Sequence, residues 1–147
     1  TSHEVKSMNY LNSILAKIEA NNGGVDEAIC LDKMGFVCEG AGENIFMVKE
    51  GKIFTPPVSS GALHGITRGV VMKLAERLGY PVIERNITPN ELFSADEAFF
   101  TGTATEVKPI SEINKRIVGD GKPGPVTKRL MQEFDKITRD PKEGYAY

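Results

Sequence analysis

A primary amine, a carboxylate and two turns rich in small and hydroxyl residues carry the chemistry this chain could perform. Lys6, in Lys6-Ser-Met-Asn-Tyr10, can condense with a carbonyl to form a Schiff base. That requires burial or nearby positive charge to free the amine part of the time. A lysine ahead of an amphipathic segment is more commonly a solvated end, so residue type alone leaves both readings open. Tyr10 is placed to hydrogen-bond an oxygen near the amine, or to be a core residue with a wet tip. Glu39, in Glu39-Gly-Ala-Gly-Glu-Asn44, falls at a strand end beside a glycine-bearing turn. Such a carboxylate can be a hairpin edge, or can keep a pyridine nitrogen protonated so that the ring becomes an electron sink. Glu43 is a second acid in the same turn, where a structural or gating role suits it better.

Gly65-Ile-Thr67 opens a helical pattern, and there free backbone N–H groups, the positive end of the helix dipole and a hydroxyl converge as they would on a phosphate. Many helices start this way with only a structural cap. Thr101-Gly-Thr-Ala-Thr105 is a second cluster of hydroxyls and exposed amides, or simply a tight turn between strands. Arg68 could neutralise charge, though an arginine in a first helical turn more often faces solvent. Walker-type, Gly-x-Gly-x-x-Gly, His-Glu-x-x-His and Gly-x-Ser-x-Gly motifs are all missing from the sequence. His3 and His64 read as structural; Cys30 and Cys38 could face each other across the first hairpin, but read better as a pair of small buried hydrophobes.

The elements that must position these residues follow from apolar periodicity. Met8, Leu11, Ile14, Leu15 and Ile18 fall at helical spacing and predict a helix over 8–21, stopped by Asn21-Asn-Gly-Gly24. Glu27–Asp32 with Phe36–Glu39, and Asn44–Lys49 with Lys52–Thr55, read as two hairpins. Val70, Val71, Leu74 and Leu78 mark a second helix that Gly79 ends, and Val82–Ile87 is strand-like. Thr88-Pro-Asn-Glu91 has capping-box spacing with Pro at the first helical position, predicting a short third helix. Glu97–Phe100, Glu106–Ile110 and Lys115–Val118 read as strands, and Val126 to Ile137 as a final helix. Hairpins with segregated helices imply α+β or α/β rather than a regular βαβ repeat.

Composition bounds the function. The 147 residues suit one domain, 1–147, and 40% hydrophobic with 26% charged residues is ordinary for a globular core. A net charge of -2 argues against nucleic acid or an anionic membrane surface as partner. Two cysteines are too few for a disulfide scaffold, so a reducing, cytoplasmic home is expected, with no apolar run of membrane-spanning length. A key lysine so near the first residue suggests a piece of something longer.

The order of these motifs is more specific than any one of them. Lys6-Ser-Met-Asn-Tyr10, Glu39-Gly-Ala-Gly-Glu-Asn-Ile-Phe46, Phe54-Thr-Pro-Pro57, Gly65-Ile-Thr-Arg68, Ala95-Asp-Glu97, Gly102-Thr-Ala104 and Gly124-Pro-Val-Thr-Lys-Arg129 together resemble the fold-type IV pyridoxal-phosphate enzymes, in particular branched-chain amino acid aminotransferases. The resemblance implies a D-amino acid aminotransferase-like fold, of which this chain is the larger C-terminal domain, a pseudo-barrel of strands with packed helices. It implies pyridoxal 5'-phosphate held by Lys6 as a Schiff base, with Lys6 also shuttling the proton between the substrate α-carbon and cofactor C4′. Glu39 would pair with the pyridinium nitrogen and Tyr10 with the phenolic oxygen. Leu63, Gly65, Ile66, Thr67 and Thr103 would contact phosphate or ring, and Thr103 and Ala104 the substrate carboxylate.

The implied reaction is transamination of leucine, isoleucine and valine with 2-oxoglutarate or glutamate as the partner pair, in a homodimer. A D-amino acid aminotransferase, an aminodeoxychorismate lyase and a cofactor-binding domain inactive on its own are the alternatives. Relatives have a smaller N-terminal domain that supplies an arginine to the phosphate, and it is absent from this chain. His64 stands where proline is common in them.

Overall fold

A computed structural model describes residues 13–18, 24–40, 42–58, 65–102 and 106–139. In chain order the elements are β1 (Ile14–Ile18), β2 (Val25–Leu31), β3 (Val37–Gly40), β4 (Glu43–Lys49), β5 (Lys52–Thr55), α1 (Gly65–Arg77), β6 (Val82–Glu84), α2 (Pro89–Phe93), β7 (Glu97–Gly102), β8 (Val107–Ile113), β9 (Arg116–Ile117) and α3 (Pro125–Arg139). Both hairpins, the second helix, the capped short helix and the final helix fall where periodicity puts them. The strand-like Val82–Ile87 run stops pairing in register at Glu84, but Arg85 still donates its N–H to Thr55 O and Val37 donates to Ile87 O.

Strand pairing closes a barrel. The order β3-β2-β1-β8-β7-β4 returns to β3, while β5 and β6 extend from β4 and β9 from β8. Every pairing is antiparallel except β5 with β6, so of the two expected classes the α+β form is the one adopted. Closure rests on one residue pair, Gly40 with Glu43. The same edge of β4 pairs further along with β5, through Met47, Val48 and Lys49.

The helix expected over 8–21 is corrected: residues 14–18 form β1. Ile14, Ala16 and Ile18 are buried while Leu15 is 55% exposed, a period of two that the adjacent pair Ile14-Leu15 obscures in the sequence. Pairing on both edges, with β2 and β8, overrides the helical spacing. Residues 8–12 and 19–21 of that expected helix lie outside the described residues.

Two apolar clusters share the central strands. Ile45 and Met47 of β4 and Ala98 and Phe100 of β7 face the barrel interior with Ile29, Val37 and Ile110. The alternate residues Phe46, Val48 and Phe99 lie beneath α1 and α3, against Val71, Leu74, Leu130 and Phe134. Burial on both faces explains why Ile45–Val48 and Ala98–Phe100 are unbroken apolar runs. Phe46 and Phe99 stack with centroids 5.0 Å apart. The α3 N-terminus is held by buried Glu97, whose carboxylate accepts the N–H groups of Thr127 (2.7 Å) and Val126 (3.3 Å), a favourable place for negative charge. No helix among the described residues is long and apolar enough to cross a membrane.

A Cβ at Gly40 would lie 2.8 Å from Phe100 Cε1, inside the packed barrel. Gly40→Ala is therefore expected to cost about 1–3 kcal/mol, seen as a lower urea midpoint. At α2, Glu91 is held down to about 2 by the Arg85 guanidinium and by the Thr88 N–H of the capping box. Because its folded value is depressed, its stabilisation is present above about 4.5 and lost as pH falls toward about 2. The pair is partly exposed, so the contribution is below about 1 kcal/mol. Glu91→Gln should flatten the pH dependence of stability in that window, measured by thermal melts.

Candidate functional site

Glu39 owes its direction to a bulge. Ile29 pairs with Gly40 and Leu31 with Val37, so two residues of β3, Cys38 and Glu39, oppose Cys30 alone. Val37 is in the barrel core and the Cβ direction of Gly40 points at Phe100, which leaves Cys38 and Glu39 both half-buried on the outer face. No described residue hydrogen-bonds or ion-pairs the Glu39 carboxylate. Cys38 sits beside it, and burial, followed by Asp32, Cys30 and Glu39, pushes its thiol up to about 11. Neither cysteine forms a disulfide among the described residues.

The pair row Gly40–Glu43–Gly102 crosses three strands. It sets the end of β3, one residue after Glu39, beside the end of β7, from which the 103–105 segment departs. Glu43 is buried within this row as the first residue of β4, and its Oε1 accepts from Lys108 Nζ at 2.6 Å. Glu27 stands near the pair: burial, then the charge of Glu43, raises its pKa. Neither Lys108 nor Glu27 is suggested by the sequence motifs. Only the cross-strand register, with Lys108 opposite Phe100, brings that lysine to Glu43.

The anion cradle expected at Gly65-Ile-Thr67 is the N-terminus of the 13-residue helix α1, with no acidic residue in its first turn. A Cβ at Gly65 would meet nothing within 4 Å, Ile66 is exposed and Thr67 is buried. No described residue fills the cradle, and its donor set fits an oxyanion such as phosphate. Arg68 is not the solvent-facing cation expected from its position. It is buried, bonded to Glu84 Oε1 at 2.8 Å and to Pro56 O at 3.1 Å. Its charge is already matched. Lys6, Tyr10, Leu63, His64, Thr103 and Ala104 lie outside the described residues.

The described residues thus form a closed, mostly antiparallel barrel with a carboxylate on a bulge and, at the start of α1, a helix N-terminus. The family model for amino-transferase class IV matches residues 1–113. The chain belongs to that family. It is similar to the putative branched-chain-amino-acid aminotransferase of Methanocaldococcus jannaschii, 53% identical over 133 residues that cover 90% of this chain and 46% of that protein. It is 48% identical to the Pseudomonas aeruginosa branched-chain-amino-acid aminotransferase, over 93% of this chain and 44% of that one.

Among solved structures, the Escherichia coli branched-chain amino acid aminotransferase matches with a TM-score of 0.70 at 50% identity, over 74% of this chain and 37% of that chain. A T.th. branched-chain amino acid aminotransferase complexed with N-(5'-phosphopyridoxyl)-L-glutamate gives 0.74 at 42% identity, over 81% and 41%. The chain thus spans less than half the length of the curated relatives it matches. The fold is that of the fold-type IV enzymes.

The elevated thiol gives a direct check on the bulge. Cys38 is expected to react slowly with iodoacetamide at pH 8 and to accelerate as pH rises toward about 11, since only the thiolate attacks. Peptide mapping across a pH series measures this.

Proposed function

We propose that this chain is the cofactor domain of a longer pyridoxal-phosphate-dependent enzyme that transaminates branched-chain L-amino acids, with 2-oxoglutarate and glutamate as the partner pair. The observation that carries the reading is Glu39, a half-buried carboxylate with no partner among the described residues, aimed outward by the bulge at the barrel end from which residues 103–105 depart. The substrate class is supported by the branched-chain aminotransferases named above, at about half sequence identity. Bound pyridoxal phosphate supplies a ring that accepts the electron pair released when the substrate α-proton leaves.

The residues then divide the work. Lys6 holds the cofactor covalently and, once released, moves the proton between the substrate α-carbon and C4′. Glu39 accepts a hydrogen bond from the ring nitrogen and keeps it protonated, which a neutral side chain would not. Tyr10 donates to the phenolic oxygen. The Gly65, Ile66 and Thr67 end of α1 takes the phosphate, with Leu63 and Thr103 at phosphate or ring, and Thr103 and Ala104 meet the substrate carboxylate. A smaller N-terminal domain would complete the site, and the assembly is a homodimer in the cytoplasm.

Borohydride reduction of the full-length, cofactor-loaded protein should place the label on Lys6, and a label elsewhere sinks the assignment. Glu39→Gln should lower the rate of the leucine half-reaction by about 10²-fold or more, as expected when a group that stabilises developing charge is lost, with the protein still folded. Leucine, isoleucine and valine should be converted in preference to D-alanine and aminodeoxychorismate. For the isolated 147 residues a binding-only role is the second reading, favoured by the chain's spanning less than half the length of its relatives. Titration with pyridoxal phosphate followed by leucine separates the two.

A further inference from the structure

The barrel mouth beside Glu39 holds a partly buried ion pair that none of the proposed cofactor or substrate contacts uses. Glu43 is 7% exposed, and one of its oxygens is bonded to Lys108 at 2.6 Å. The other, Oε2, is buried with no hydrogen-bond partner among the described residues. The pair spans strands β4 and β8, with β7 between them in the sheet. The Glu43 carboxylate also lies against Gly102 of β7, where an added Cβ would sit 3.1 Å from its Oε1. Glu43 backbone pairs with both Gly40 and Gly102. Of the charged groups facing the pair, Glu27 adds negative potential from β2 and Glu106 from just before β8.

We propose that the Glu43–Lys108 pair is a positioning clamp: it fixes the end of β3, which carries Glu39, against the end of β7, which leads into Thr103 and Ala104. The inference rests on the proposed function for the roles of those three residues. The clamp itself rests on the pair. A buried carboxylate with one free oxygen has a single strong attachment, and removing Lys108 leaves a desolvated charge that can be relieved only by opening the strand ends toward water. A shift of Gly40 and Gly102 relative to one another would displace the ring-nitrogen partner from the residues proposed to meet the substrate carboxylate. Displacement of this kind acts on binding and orientation of the amino acid more than on the fold.

The test uses the full-length protein with Lys108→Met, Glu43→Gln and the double variant. Amide hydrogen exchange should quicken in peptides covering 40–44 and 100–106 in Lys108→Met and leave α3 unchanged. The leucine KM should rise about tenfold, within the range that small misplacements produce. Cofactor affinity should fall by less than the leucine KM rises, because Lys6 and the α1 cradle are untouched and only the Glu39 contact is displaced. The double variant, with neither charge left buried, should recover much of the KM lost in Lys108→Met. Unchanged exchange at 40–44 and 100–106 overturns the clamp. So does faster exchange with an unchanged KM, or an equal loss in all variants that tracks thermal stability alone. If wild-type protein binds pyridoxal phosphate but converts no amino acid, the proposed function falls, and the exchange comparison alone then decides for or against the clamp.

Discussion

The barrel depends on how closely β3 can approach Phe100. Closure is made by the Gly40–Glu43 pair, and at Gly40 the ring of Phe100 already occupies the space a Cβ would need. Phe100 is fully buried in the middle of the interior cluster, so neither ring nor strand can retreat cheaply. A side chain at this point would push β3 outward and open the row Gly40–Glu43–Gly102 that brings two parts of the proposed site together. The same constraint sets the direction of Glu39. Val37 and Gly40 must both face inward, but they are three residues apart, and a strand of period two can satisfy both only by adding a residue. The bulge that results turns Cys38 and Glu39 outward together.

Carboxylates in this domain occupy three different electrostatic environments, and their neighbours separate their roles. Glu97 is buried against two backbone N–H groups at the start of α3, a neutral but strongly oriented partner, and it joins that helix to β7. Glu43 is buried against an ammonium and joins β4 to β8. Glu39 is half-buried and has neither among the described residues. Glu97 has both oxygens occupied by backbone N–H groups, whereas Glu43 is bonded through Oε1 alone. Gly124 belongs to the first arrangement, since a Cβ there would fall on the Glu97 carboxylate.

Much of the fold is legible in the sequence wherever one periodicity dominates. The Thr88-Pro-Asn-Glu91 box, the apolar stripe of α3 and the hairpin at Glu50-Gly51 each carry a local signal strong enough to survive tertiary packing. β1 does not. Its five residues contain two adjacent isoleucine and leucine positions, and only pairing with β2 and with β8, far along the chain, decides that Leu15 faces out. At the site, Glu39 and the Gly65 helix start are readable because glycines and a helix onset mark them. Lys108 is not, because an alternating strand lysine looks like a solvated one until register places Glu43 beside it. Arg68 misleads for the opposite reason: a first-turn arginine suggests an anion site, while its actual partner, Glu84, comes from a strand sixteen residues later.

That commitment of Arg68 bears on how the proposed cofactor phosphate is neutralised. A helix N-terminus offers the equivalent of roughly half a positive charge, whereas a phosphate monoester near neutral pH carries about −1.5 to −2. In the first turn of α1 the remaining side chains, Ile66, Thr67, Gly69 and Val70, are uncharged, and the guanidinium of Arg68 is turned to Glu84 and Pro56. The cradle can therefore select and orient an oxyanion through its amides and hydroxyl but cannot balance its charge. On the proposed function, a cation from outside this helix must complete the site, and the arginine that the family resemblance assigns to the smaller N-terminal domain has the required sign. Binding of the phosphate would then help to hold the two domains together, since each supplies a part of the site that the other lacks.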